Sequence, residues 1–230
     1  MFILRSALAE WQVVRARIVR TRLGVWLVVL AVAALALPGP ADPYGTARVA
    51  VRVGLLAAAL AVAFGAGSDA DRAALPLTLS HPTTPVAVAA GRALSAMIVA
   101  DVLVLAVVAG LAWRHGWLDP RLSRAAVAGM AAAAAGTGCA LAAAWSAGNG
   151  VVGALCVYFA LLSALTPDGL GALFGSHPLV SAGRALWWLL PGTWRAAPLA
   201  MGDLGAWLHA LAWAVGGTVL AALRLRRRLA

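Results

Sequence analysis

The sequence contains no lysine: all 18 of its basic side chains are arginine. That absence removes the P-loop G-x-x-x-x-G-K-[ST], the lysine Schiff base and the Ser-x-x-Lys nucleophile. An ATP-driven activity would need its ATP site on another chain. Charge is scarce too, at 11% of residues, and only 8 positions are acidic. A soluble domain is about a quarter charged and about half apolar. This chain is 63% hydrophobic with a mean hydropathy of +0.91, which excludes a water-soluble globule. Cysteine is limited to Cys139 and Cys156, both inside apolar runs, where they read as packing residues rather than a disulfide or metal pair. The histidines, His81, His115, His177 and His209, are scattered and form no metal set. No nucleophile–base pair, carboxylate dyad or oxyanion arrangement is legible, so the chain does not read as an enzyme.

What is present is apolar length. A bilayer-spanning helix needs about 20 apolar residues, because the hydrocarbon core is about 30 Å thick. Six runs fit that measure: Leu23–Leu37 (short), Val49–Ala66, Ala93–Trp113, Ala125–Ala147, Val151–Thr166 and Leu204–Leu223. Gly148, Asn149 and Gly150 separate the fourth and fifth as a turn. No soluble domain remains outside these runs, so residues 1–230 read as one all-α integral membrane domain.

The net charge of +10 would suggest nucleic acid in a soluble protein, but here the arginines flank apolar runs. That placement sets membrane orientation, and no polar reading surface for nucleic acid exists. With six spans, Arg5, Arg15, Arg17, Arg20, Arg22, Arg72, Arg92, Arg224, Arg226, Arg227 and Arg228 share one side. The other side holds Arg48, Arg52, Arg114, Arg121, Arg124, Arg184 and Arg195. The bias predicts both termini in the cytoplasm, with the protein in the cell (inner) membrane. No cleavable signal peptide is expected, since residues 1–22 lack an apolar h-region. Instead Leu4, Ala7, Leu8, Trp11, Val14 and Ile18 share one helical face and arginines the other. That predicts an interfacial helix against anionic lipid.

Two regions do not read as spans. Residues 67–92 begin with Ser68, Asp69, Asp71 and Arg72, continue through Leu75, Leu77 and Leu79, and turn at His81, Pro82 and Pro85. A capped short helix, a proline corner and a re-entry at Gly91–Arg92 are expected. Leucines exposed beside acids suit docking to another protein. Residues 167–203 hold Trp187, Trp188 and Trp194 in a stretch too apolar for a solvated loop and too broken for a span. Short re-entrant helices are expected there. The tryptophans read as an aromatic belt or as outer gate residues.

Within the spans, Asp101 is the one deeply placed acid, with Arg92 and Arg52 as possible partners. An intramembrane carboxylate is costly and so a functional candidate. His209 reads as a packing or hydrogen-bonding residue. Gly129, Ala133, Gly136 and Ala140 recur at helical spacing and permit a close helix contact, either within the chain or across a dimer.

The stretch L-P-L-T-L-S-H-P-T-T-P-V-A-V-A-A-G-R at residues 75–92 resembles the cytosolic coupling region of ABC-2 type transporter permeases. The likeness extends to the amphipathic start, the six spans and the segment before the last one. It departs where the family carries Glu and Gly ahead of the leucines, since this chain has Asp69, Asp71 and Arg72 instead. The resemblance implies export of a hydrophobic or amphipathic substrate by alternating access. It implies a separate ABC ATPase carrying ATP and Mg and docking on residues 67–92, and a second permease subunit, identical or related. The alternatives are a haem-exporter-type membrane subunit of cytochrome c maturation, or a non-transporting scaffold or assembly factor.

Overall fold

A computed structural model describes residues 12, 16, 23–36, 44–66, 84–115, 120–149, 151–153, 171–172, 175 and 178–229. Among them there is no strand, and the helices are α1 (Leu23–Ala36), α2 (Gly45–Ala61, continued by a π turn at Val62–Ala66), α3 (Pro85–His115), α4 (Pro120–Ala147), α5 (Pro178–Leu189), a 3₁₀ turn at Thr193–Arg195, α6 (Ala196–Met201) and α7 (Leu204–Leu229). Four are long and apolar enough to cross a membrane: Gly45–Gly65, Pro85–Arg114, Pro120–Ala147 and Leu204–Arg227. The chain is therefore helical and multi-pass in character. The predicted first span, α1, has 14 residues and packs Leu27 into the core beside Leu103. Of the predicted fifth run only Val151, Val152 and Gly153 are described, all helical. The interfacial helix at 1–22 lies outside the described residues except for Gln12 and Ala16.

The helix ends follow local chemistry. Thr84 caps α3: its Oγ1 accepts from Ala87 N at 3.2 Å, and Pro85 sits at the first position, where a missing N–H costs nothing. α3 begins at Pro85, at the proline corner, and runs continuously through Gly91 and Arg92, with Gly91 tolerated in its interior. The predicted turn after α4 is present: Gly148 adopts φ 75°, and Asn149 Oδ1 accepts from Val151 N at 2.9 Å and Val152 N at 3.1 Å. At Gly202, φ 80°, the chain ends α6 with Asp203 N donating to Pro198 O and Gly202 N to Leu199 O. Asp203 then caps α7 through Ala206 N at 2.9 Å.

α4 is the central helix. Its alanine-rich sequence favours helix and offers little side-chain bulk, so neighbours approach to backbone contact. A Cβ on Gly54 would run into the Gly129 carbonyl, and one on Gly217 into the Gly138 backbone. Gly54 and Leu55 of α2 meet Gly129 and Gly136, and Trp213 and Gly217 of α7 meet Gly138. Both neighbours therefore run parallel to α4. α3 is antiparallel, with Val104 against Gly129 and Arg92 over Trp145. The small-residue stripe of the fourth span thus serves contacts within the chain. One end of the bundle, the base, gathers Ala66, Thr84, Ala147 and the arginine-rich end of α7. The other, the crown, gathers Gly45, Pro120 and Leu204.

Candidate functional site

Two places in the bundle concentrate polar side chains. At the base, Arg92 is buried at 1% exposure in α3, and its guanidinium carbon lies 5.6 Å from the centroid of the Trp145 ring near the end of α4. A desolvated arginine over an indole face is a stabilising contact of about 2 kcal/mol. It ties α3, which follows the 67–83 connection, to the basal end of α4. The predicted coupling residues Asp69, Asp71, Arg72, Leu75, Leu77, Leu79, His81 and Pro82 all lie outside the described residues.

The second place is the turn between α5 and α6. The last carbonyls of a helix have no partner within it, and in hydrocarbon each open one costs several kcal/mol. Two consecutive carbonyls at the end of α5 are met by side chains from elsewhere. Arg195 Nη2 donates to Trp188 O at 3.2 Å, and Trp213 Nε1 donates to Leu189 O at 2.7 Å. His209 and Trp213 stand four residues apart on one face of α7, the face turned to this helix end.

Pro191 and Gly192 then turn the chain, both buried, with the Trp194 ring lying directly on Gly192. Around the turn, Leu55 of α2, Ala132 and Ala135 of α4 and Ala210 of α7 enclose a cavity of about 10 Å³, room for a single water. Arg195 Nε and His209 Nε2 are buried without a hydrogen-bond partner among the described residues, and both residues line this cavity. The Arg195 Nε–H and the His209 Nε2 at one water-sized space suit a shared water. The turn reaches the middle of α4, between Ala132 and Ala135.

No family model, curated protein or solved structure matches the chain. The functional reading therefore rests on the residues and on where the fold places them.

Trp188 is exposed on α5 and Trp194 is folded inward onto Gly192, while the Trp187 side chain lies outside the described residues. Trp213 carries a polar contact that no spacing in the sequence announces. Asp101 is sixteen residues into α3 and partly buried, with Oδ1 buried and without a hydrogen-bond partner among the described residues. Arg92 does not reach it. Nine residues at 100° each put the two side chains on opposite faces of α3, about 14 Å apart along the axis. Arg52 is exposed on α2 and makes no bond to the carboxylate either. Among the described residues no group of His, Cys, Asp and Glu could hold a metal ion.

Proposed function

We propose that the chain is the membrane-spanning subunit of an ATP-driven transporter of the ABC-2 type, a six-span permease powered by a separate ATPase that docks on residues 67–92. The observation that carries this reading is the topology around α4. α4 ends at the base and α7 begins at the crown, a placement that supports a further crossing between them. A fifth crossing there, with α1 as the first, gives the six-span order. The same topology brings Ala66, Thr84 and the arginines of α7 to one end. That end is the side facing the cytoplasm on the arginine count. The turn at Pro191–Arg195 is the re-entrant element of the outer half, admitted to an apolar interior because its helix end is capped. Two such units, identical or related, enclose the path of a hydrophobic or amphipathic substrate, and ATP and Mg stay on the partner.

The test is affinity purification of the tagged chain from its native membrane in mild detergent. An ATPase carrying a P-loop is expected to co-purify, and replacing Leu75, Leu77 and Leu79 together by alanine is expected to lower its recovery and its ATP hydrolysis. A chain that purifies with no ATPase overturns the proposal.

A further inference from the structure

Between α3 and α7, above the floor made by α4, runs an open groove of about 490 Å³. Leu94 and Met97 form one wall, Leu211 and Val215 the other, and Ala131 and Ala134 the floor. A second recess of about 290 Å³ continues it toward the base, sharing Thr218 and Val219 and reaching Pro85 and Arg226. The volume of the main groove is that of a small-molecule site. Its lining is apolar apart from Thr218 and the indole of Trp207 near the crown end.

The carboxylate of Asp101 belongs to the same end. It lies four residues beyond Met97, hence one turn further along the same side of α3. Val86 faces Ala222 in the basal recess. Counting fifteen residues from there along two antiparallel helices brings Asp101 level with the Trp207–Leu211 turn of α7. The indole at the crown end of the groove therefore stands level with a carboxylate that lies one turn beyond the lining and whose Oδ1 is buried without a hydrogen-bond partner among the described residues. An intramembrane acid calls for an opposite charge, and indole faces attract cations. A lipid acyl chain would fill the apolar volume but leave the carboxylate as costly as before.

From this juxtaposition we infer that the α3–α7 groove binds an amphipathic organic cation, its apolar body on Ala131 and Ala134 and its charge between Asp101 and Trp207. As a transport substrate that cation rests on the reading above. As a ligand it does not, because binding requires neither the ATPase nor turnover.

The experiment uses the purified full chain in lipid nanodiscs and two ions of nearly equal size and shape but opposite charge, tetraphenylphosphonium and tetraphenylborate. Equilibrium dialysis is corrected with empty nanodiscs. Tetraphenylphosphonium is expected to saturate one site per chain, and tetraphenylborate to show the empty-disc background. Asp101→Asn is expected to weaken the cation about tenfold or more, and Asp101→Glu to stay within about threefold. Ala134→Leu, which fills the floor, should abolish the site while Asp101 is retained. Thermal unfolding of each variant separates a lost site from a lost fold. Equal binding of the two ions, as an acyl-chain groove would give, overturns the inference. So does Asp101→Asn binding like the parent, or no saturable binding, as a groove closed by a second copy would give. An ATPase that fails to co-purify leaves all these results standing.

Discussion

The seam of α4 and the turn at Pro191 are both buried among the same helices, yet they are held in opposite ways. Along α4 the contacts are made by backbone: Gly54, Gly129, Gly138 and Gly217 bring chains so close that no side chain fits between them. At the turn, two side chains reach across to carbonyls that would otherwise be open. The contrast reflects the solvent. Lipid is as apolar as leucine, so burial alone drives little, and helices adhere by close packing or by hydrogen bonds. Regular helix has its backbone bonds made and can use the first route. A broken segment has orphan groups and must use the second.

Four substitutions test the two modes of attachment separately. The largest effect is expected from Gly217→Leu, which drives a side chain into the Gly138 backbone and should cost about 3 kcal/mol or more. Unfolding in mixed detergent micelles would read it as loss of the folded species; a near-parental midpoint would show that the seam yields. Gly54→Ala places a single methyl against the Gly129 carbonyl, for an expected loss of about 1–3 kcal/mol in the same assay. Trp213→Phe keeps the ring and removes one donor, and should cost about 1–2 kcal/mol. Its distinguishing sign is local: hydrogen exchange at residues 188–195 should accelerate while the amides of α4 stay protected. Uniform acceleration would mean the turn and the seam are a single unit. The smallest effect is expected at the neighbouring glycine. A Cβ on Gly216 meets nothing within 4 Å, so Gly216→Ala should be neutral or stabilising by up to about 1 kcal/mol. Opposite outcomes at adjacent residues of one helix are the sharpest check on the packing.

Much of the helical framework was legible because hydropathy is a local property. Val49–Ala66, Ala93–Trp113, Ala125–Ala147 and Leu204–Leu223 each fall inside an observed helix. The observed helices are longer because amphipathic flanks such as Pro120–Arg124 and Leu225–Arg228 continue the helix past the apolar stretch. The stripe Gly129, Ala133, Gly136 and Ala140 announced a close approach but not its partner, since small residues carry no address. The capped end of α5 was not legible. A hydrogen bond from Trp213 to a carbonyl 24 residues earlier leaves no pattern in the sequence, because every residue has a carbonyl. Arg92 was misread for a related reason: its distance from Asp101 in sequence suggested proximity, but helical phase turned it toward Trp145.

The parallel arrangement of α4 and α7 also has a consequence for biogenesis. Gly138 is synthesised well before Gly217, which lies on the helix that covers it. While the chain leaves the ribosome, one flank of α4 stays open to lipid or to an insertion factor until α7 enters the membrane. Any truncation within α7 would leave that flank permanently uncovered, a signal by which quality control could tell an unfinished chain from a finished one.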